Sequence, residues 1–183
     1  MTAATYLEVH PSGELDSGQM GYWLFKSEPA AYGIDDLQRE ETTVWDGVRS
    51  FQARNHLTAA AVGDLVFFYH SSTTPPGIAG LAEVIETAVV DPTQFDPESK
   101  YFDSTSKLAD PRWMTVRVRF VEKFPTYLDL ETLRESFSPD ELITLRRGNR
   151  LSVTPVGTAT AERLLAMARD SAVPHSARLN ESR

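Results

Sequence analysis

The chain contains no cysteine among its 183 residues, so disulfide bonds and thiolate metal sites are excluded. A reducing compartment is the natural setting for such a chain, and the cytoplasm is therefore the expected location. No run of the sequence approaches the roughly 18 or more consecutive apolar residues that a membrane span requires. Residues 1–20 lack the basic start and the apolar centre of a signal peptide. We expect them to form a flexible tail.

Basic residues are also scarce, since 18 Lys and Arg stand against 26 Asp and Glu, for a net charge of −8 at pH 7. Non-specific binding to nucleic acid draws on many contacts between cations and phosphates, and an acidic surface opposes it. A protein that coats DNA is therefore not expected. Residues 146–150, however, read Arg-Arg-Gly-Asn-Arg without an acid, which is compatible with a local basic rim on an acidic body.

Recognisable catalytic and metal-binding patterns are missing as well. The four histidines are scattered, without the paired spacing of a metal site, so we expect neither a metal nor another cofactor. His70 and Ser71 are adjacent, but neighbouring side chains on a strand point to opposite faces and do not pair as base and nucleophile. We therefore expect no catalytic residues. One enzymatic alternative stays open, in which His70 is a general base and Asp46 is its partner.

Aromatic and polar residues are instead concentrated in three short segments, residues 22–29, 45–49 and 67–71. A pocket for a nucleobase needs rings for the two faces of the base and hydrogen-bonding groups for its edge. The pattern suits such a pocket, and equally a core, where strand aromatics are common. Candidate rings are Trp23, Trp45, Phe68, Tyr69 and Trp113; candidate edge contacts are Lys26, Ser27, Asp46, His70 and Ser71; candidate phosphate contacts are Arg49, Arg54, Arg147 and Arg150.

Short strand and helix patterns follow one another without the regular βαβ order of a parallel sheet. Residues 91–112 form a long polar loop, of a length typical of lids and of disordered segments. We predict one α+β domain over residues 21–170, a mixed barrel of five to six strands with peripheral short helices, and a flexible tail over 171–183. The predicted strands are 21–26, 42–45, 65–70, 78–90, 113–120 and 151–156, and the predicted helices are 34–39, 51–61, 130–137, 139–145 and one that starts at Thr158 or Thr160.

The aromatic segments resemble the EVE domain family, a branch of the PUA-like superfamily. The resemblance spans about residues 21–168 and implies a PUA-like β-barrel with peripheral helices. Related YTH domains read methylated adenine in RNA, and SRA domains read methylated DNA, each in an aromatic-lined pocket. The matching stretches are 23–29, 45–49, 52–55, 62–71, 76–80, 83–84, 91–96, 111–113, 116–118 and 150–155.

What the resemblance implies for function is a non-enzymatic module that reads a modified base, a modified cytosine in DNA being the first candidate. Its partner would be nucleic acid, with DNA favoured over RNA, and not a membrane. An RNA-binding module and an enzyme or small-molecule binder for a nucleotide-like ligand are the alternatives. The implied pocket residues are Trp23, Lys26, Ser27, Trp45, Gly47, Val48, Arg49, Tyr69, His70 and Ser71, with residues 150–153 approaching from the C-terminal side. Beside this pocket, the phosphate contacts expected from the residues themselves are Arg54, Arg147 and Arg150.

One departure from the family pattern concerns the residues after Val48 and Arg49. The pattern leads us to expect Asn and Tyr there, whereas this chain has Ser50 and Phe51. The change would remove an amide and a hydroxyl from the possible edge contacts, and it therefore bears on which ligand is bound.

Overall fold

The computed structural model describes residues 20–170, so the two predicted flexible tails lie outside the described residues, apart from residue 20. Within this range, no helix is long and apolar enough to cross a membrane. The elements in chain order are β1 Tyr22–Ser27, α1 Ile34–Glu40, β2 Thr42–Val44, α2 Phe51–Ala59, β3 Leu65–His70, β4 Gly77–Val90, a 3-10 turn Pro92–Phe95, β5 Met114–Asp129, α3 Leu130–Ser136, a 3-10 turn Ile143–Leu145, β6 Val153–Val156 and α4 Thr158–Arg169.

The six strands form one mixed sheet in the order β2-β5-β4-β3-β1-β6. The pair β1–β3 is parallel and the other ladders are antiparallel. Register shifts interrupt the ladders of β4, and such irregularities bend the strands. The predicted α+β class and strand number are therefore confirmed.

The closed barrel is not seen, because no ladder within residues 20–170 joins β2 to β6. Both strands are short, and β6 contains Pro155, which has no N–H to donate and is suited to a sheet edge. The sheet therefore has two open edges.

Both faces of the sheet are buried at its central strands β1 and β3. Phe25 faces one hydrophobic cluster together with residues of α1 and α2, whereas Leu24 faces a second cluster with residues of α3 and α4. This alternation follows from the period of two in a strand. Each fully buried side chain of this size contributes roughly 1.5–3 kcal/mol. Strand β1 is therefore held firmly from both sides.

The prediction of a helix over residues 139–145 is wrong. Only residues 143–145 form a 3-10 turn. The first helical bond, from the Leu142 amide to the Ser138 carbonyl, is present at 3.0 Å, but the next carbonyl, that of Pro139, accepts from the Arg146 Nε at 3.1 Å and not from a helical amide. A seven-residue helix also gains few hydrogen bonds to offset the cost of nucleation.

The long loop between β4 and β5 is closed at its base by Gln94, whose side chain is fully buried. Its Nε2 donates to the carbonyls of Asp91 at 2.7 Å and Trp113 at 2.9 Å. Its Oε1 accepts from the amide of Trp113 at 3.1 Å and from the Ser106 hydroxyl. The amide thus uses both its donors and both its acceptor positions within the loop. Residues 91–113 consequently form an ordered loop instead of a disordered segment.

Candidate functional site

A cleft of about 570 Å³ opens beside the carboxyl ends of β1 and β3. Because these strands are parallel, they end at the same edge, where Ser27 pairs with His70 in the ladder. The next residue, Ser71, donates from its amide to the Ser27 carbonyl at 2.8 Å and from its hydroxyl to the same oxygen at 3.2 Å. The volume falls within the roughly 300–1,000 Å³ of small-ligand pockets.

The cleft brings together several predicted residues from distant parts of the chain. They come from the end of β1, from the segment after β2, from the end of β3 and from the stretch before β6. The predicted pocket residues that line it are Lys26, Ser27, Trp45, Gly47, Val48 and Ser71, joined by the edge candidate Asp46 and the phosphate candidate Arg150. Position 152 of the predicted 150–153 approach lines it too.

Trp45 forms the inner wall of the cleft. Its side chain packs against Phe25, with ring centroids 5.2 Å apart, and perpendicular to Phe68 at 5.3 Å, so Trp45 is only 7% exposed. The other two tryptophans donate their indole N–H groups to aspartates. In the described part of the chain, the Trp45 indole N–H has no acceptor. Trp45 therefore offers a free hydrogen-bond donor to the cleft and only a limited ring surface.

Two tyrosines that the sequence analysis did not select provide the more accessible rings of the cleft. Tyr32 follows β1, and its hydroxyl donates to Glu40 Oε2 at 3.0 Å. Burial raises the pKa of Tyr32 to about 12, with the charge of Glu40 adding to the effect, so the phenol is neutral. Tyr101 reaches the cleft from the long loop. The aromatic residues of that loop were the signal that could have identified Tyr101 as a cleft residue, but the polar composition of the loop obscured it.

Gly47 allows the Tyr101 ring to pack closely against the chain segment that follows β2. A Cβ atom on Gly47 would lie 2.6 Å from the Tyr101 ring, well inside contact distance. The φ angle of Gly47 is also +75°, a conformation that favours glycine. A glycine is therefore required here for two independent reasons.

The basic residues of the cleft form no salt bridges with acidic residues of the described range. Lys26, Lys100 and Arg150 form no salt bridge with another residue of the range 20–170, whereas most arginines in that range are paired. Burial lowers the pKa of Lys26. With Glu28 and Asp46 as the acids of the lining, the cleft carries a local excess of positive charge on an acidic protein.

Asp46 stands at the mouth of the cleft with a carboxylate that receives no hydrogen bond from the described residues. Partial removal from water raises the pKa of Asp46, and the charge of Asp91 adds to this, while Arg49 opposes it. By contrast, the Ser27 hydroxyl already donates to the Tyr32 carbonyl at 2.7 Å and is left as an acceptor. Asp46 and the serines thus offer acceptors, and Trp45 and Arg150 offer donors, whereas the Lys26 ammonium lies 5.8 Å from the centroid of the Tyr69 ring.

Arg49, a predicted pocket residue, does not line the cleft but holds its walls together. Its Nη1 donates to Asp91 Oδ2 at 2.7 Å, its Nη2 to Thr93 Oγ1 at 2.8 Å and its Nε to the Tyr101 carbonyl at 2.6 Å. The Asp91 carboxylate also accepts from the amide of Gly47 at 2.9 Å. This ion pair therefore fixes both Gly47 and the backbone of Tyr101, and Arg49 is a positioning residue.

Three further predicted pocket residues lie elsewhere. Trp23 is buried in the core and donates from Nε1 to Asp64 Oδ2 at 2.7 Å. Tyr69 follows Phe68 on β3 and so faces the opposite cluster, where it is 4% exposed. His70 accepts from the amide of Ile34 through Nε2 at 3.1 Å. The structure thus does not bring these three side chains to the cleft.

The two remaining phosphate candidates lie outside the cleft lining as well. Arg54 donates from Nη1 to the carbonyl of Arg112 at 2.9 Å. Arg147 is exposed and forms no salt bridge with the described residues. The departure at Ser50 and Phe51 also lies outside the lining, where Ser50 caps α2 by accepting from the amide of Ala53. Neither Ser50 nor Phe51 therefore provides an edge contact in the cleft.

The acid–base pair of the enzymatic alternative is not formed. His70 is not among the residues that line the cleft, and its Nε2 lone pair is used by Ile34. Burial lowers the pKa of His70, so that the ring is neutral at pH 7. Within residues 20–170, no hydrogen bond joins His70 to Asp46, and no group of three or more His, Asp or Glu side chains could hold a metal ion.

Comparison with known proteins places the chain in a family. The EVE domain model matches residues 21–167. Thymocyte nuclear protein 1 of Mus musculus is 39% identical over 153 residues, which cover 74% of this chain and 68% of the relative. A crystal structure of a Pseudomonas syringae protein is 43% identical with a TM-score of 0.77, and the match covers 80% of this chain and 99% of that one.

A second similar solved structure is a complex with DNA. It is a crystal structure of human THYN1 protein in complex with DNA that contains 5-methylcytosine, 34% identical to this chain with a TM-score of 0.75. The match covers 81% of this chain and 97% of that one. The family match extends over nearly the whole described range and includes every wall of the cleft. The chain belongs to the EVE domain family.

Proposed function

We propose that this chain is a non-enzymatic module that binds nucleic acid carrying a modified nucleobase, a modified cytosine in DNA being the favoured ligand. The observation that carries the proposal is the cleft, which is lined by three rings and by the Trp45 indole N–H and the Asp46 carboxylate, two groups without hydrogen-bond partners among the described residues. The human relative whose structure is a complex with 5-methylcytosine-containing DNA supports the choice of ligand.

The proposed mode of binding is a single base flipped into the cleft between Tyr32 and Tyr101, with Trp45 behind it. Stacking of a base on an aromatic side chain is worth roughly 1–3 kcal/mol. Extrusion of a base from a duplex costs a few kcal/mol, and less for a mismatched or single-stranded base. Because these two contributions are of similar size, contacts at the edge of the base decide affinity and selectivity.

The edge groups of the cleft match the hydrogen-bonding pattern of cytosine. The exocyclic amine of cytosine is a donor, and an aspartate is a suitable acceptor for it. Asp46 would accept from this amine, while the Trp45 indole N–H would donate to the acceptor edge of the base, formed by the ring nitrogen and the carbonyl oxygen. Thymine presents a carbonyl where cytosine has the amine, so it would place an acceptor against Asp46. The proposed assignment therefore makes Asp46 the residue that distinguishes the two bases.

The backbone of the bound strand would meet the cations of the cleft rim. Arg150 and Lys100 line the cleft without salt bridges in the described range, so no internal ion pair has to break when a phosphate arrives. Arg147 lies three positions from Arg150 and would contact the next phosphate. A small number of such contacts agrees with the net charge of −8 and with recognition of one nucleotide instead of a long duplex surface.

The test is equilibrium binding at fixed low salt to short oligonucleotides, in matched DNA and RNA forms, with unmodified, methylated or hydroxymethylated cytosine or methylated adenine. Two variants probe the cleft. Tyr101→Ala removes a stacking ring and is expected to weaken binding of the preferred oligonucleotide by about 5-fold to 150-fold. Trp45→Phe keeps the ring and removes the indole N–H, for an expected loss of about 2-fold to 13-fold.

The control variant is Tyr127→Ala, because Tyr127 is similarly accessible but does not line the cleft. It should bind like the unaltered protein. Equal affinity for modified and unmodified oligonucleotides, or unchanged binding by Tyr101→Ala, would overturn the proposal. A preference for the RNA forms would replace DNA by RNA as the partner.

A further inference from the structure

We propose that a second surface beside the cleft binds the nucleotides that flank the flipped base. This surface, here called the Phe51 stack, consists of Phe51, Arg54, Arg112 and Trp113. It lies outside the cleft, and no residue of it belongs to the cleft lining. The proposal rests on the proposed function, because it concerns the remainder of the same nucleic-acid strand.

The Phe51 stack is a layered arrangement of two rings and two guanidinium groups. Phe51 lies over Trp113 with ring centroids 5.0 Å apart and an angle of 24° between the planes. The guanidinium carbon of Arg54 is 4.9 Å from the Phe51 centroid, and that of Arg112 is 5.5 Å away. Trp113 is 6% exposed, whereas Phe51 is 50% exposed. Phe51 is therefore the outermost ring of the arrangement.

Phe51 does not belong to the apolar face by which helix α2 packs into the core. Phe51 is the first residue of α2, directly after the cap Ser50, and the apolar side chains of this helix that enter the core are Ala53 and Leu57. An isolated exposed aromatic needs no explanation, but here two arginines accompany it. Rings next to arginines are the arrangement on which proteins stack bases of single strands.

Arg54 is available to contact a phosphate. Its guanidinium donates to the carbonyl of Arg112 and to Asn55 Oδ1, and it forms no salt bridge with a residue of the described range. Arg112 is tied more closely, by an ion pair with Asp103 at 3.6 Å. The stack thus contains one cation without an acidic partner beside an exposed ring. This agrees with Arg54 as a phosphate contact, the role expected from the sequence.

The Phe51 stack is continuous with the cleft through Arg49. The guanidinium of Arg49 lies 5.7 Å from the Tyr101 ring, which lines the cleft, and 5.2 Å from the Trp113 ring, which belongs to the stack. Three successive contacts of 5.0–5.7 Å therefore lead from the cleft to Phe51. These contacts limit the distance between the Tyr101 ring and the Phe51 ring. A nucleic-acid strand with a rise of about 3.4 Å per nucleotide spans that distance in at most about five nucleotides.

The residue type at position 51 fits stacking better than edge recognition. The family pattern led us to expect tyrosine, and phenylalanine retains the ring without the hydroxyl. A ring alone accepts any base, because every base has a π face. The Phe51 stack should therefore add affinity without adding preference for the flanking sequence.

The experiment compares two ligands that carry the same modified base, the free nucleoside monophosphate and a single-stranded oligonucleotide with about five nucleotides on each side. Phe51→Ala should bind the oligonucleotide about 5-fold to 150-fold more weakly and the monophosphate with unchanged affinity. Phe51→Trp, which keeps an aromatic face, should retain binding. Leu108→Ala is the matched control, since Leu108 is an exposed apolar residue at 81% exposure and lies outside the stack and the cleft lining.

The outcomes separate this proposal from the proposed function. If the unaltered protein prefers the modified base but Phe51→Ala binds the oligonucleotide as tightly, the flanking contact is refuted and the base pocket stands. If the unaltered protein shows no preference for the modified base, the proposed function fails first. Phe51→Leu keeps Trp113 covered but lacks a π face, and it should show the same loss as Phe51→Ala. Normal binding by Phe51→Leu would show that Phe51 merely covers Trp113, which also refutes the proposal.

Discussion

Replacement of Asp91 by alanine is expected to lower the free energy of unfolding by about 3–5 kcal/mol. The Asp91 side chain is 2% exposed and that of its partner Arg49 is 20% exposed, so alanine leaves a buried guanidinium without a counter-charge. The amides of Gly47 and Thr93, at 2.9 Å and 2.8 Å from the carboxylate, also lose their acceptor. This loss is a large part of the roughly 5–15 kcal/mol by which domains are stable.

The assay is urea unfolding at equilibrium, with Asp140→Ala as the matched control. Asp140 pairs with Arg146 at 3.1 Å, but its side chain is 93% exposed, and such surface pairs contribute only about 0–1 kcal/mol. A loss for Asp91→Ala as small as that for Asp140→Ala would refute the assigned role of the Arg49–Asp91 pair. Because Arg49 also binds the Tyr101 carbonyl, ligand affinity should fall in Asp91→Ala at temperatures where the variant is folded.

Two further predictions concern the backbone near the cleft and the buried histidines. Gly47→Ala should destabilise the fold by more than the roughly 1–3 kcal/mol of backbone strain, because the new Cβ also meets the Tyr101 ring. Gly148→Ala is the control and should cost only the strain, since Gly148 has a φ of +76° and nothing lies within 4 Å of its Cβ position. Equal losses in urea unfolding would contradict this account. Stability should also fall as the pH drops below about 6.5. Burial lowers the pKa of His70 and His56, so the unfolded state takes up protons first. His70→Gln, whose amide oxygen can accept from Ile34, should show a shallower decline, and an unchanged slope would refute the contribution of His70.

The strands were predictable because short apolar runs bounded by turns mark them. Residues 65–70 were predicted with the bounds that the structure has for β3. The sequence does not reveal which face of β3 borders the cleft, since that depends on which elements cover each side. Phe68 faces the Trp45 side and Tyr69 the opposite cluster, a distinction that the sequence pattern of β3 does not contain.

The wall of the cleft that Tyr101 forms was not predictable from the local sequence pattern. Tyr101 takes its place through contacts with Arg49, and Arg49 is held by Asp91, which is 42 residues away in the chain. Polar composition made residues 91–112 read as a lid or a disordered segment, because the burial of one glutamine and one aspartate leaves no periodic signal. Long-range polar contacts of this kind are specified by the fold and not by neighbours in sequence.

The closure of the loop at Gln94 separates the sheet from the middle of the loop. The strands that flank the loop are joined directly, with Val90 opposite Met114 in the ladder, and Gln94 links the two ends just beyond that pair. Changes of length or composition over residues 96–112 therefore leave the register of the sheet intact. Such changes would alter the wall of the cleft that Tyr101 forms, while Lys26 on β1 and Ser71 directly after β3 keep their positions.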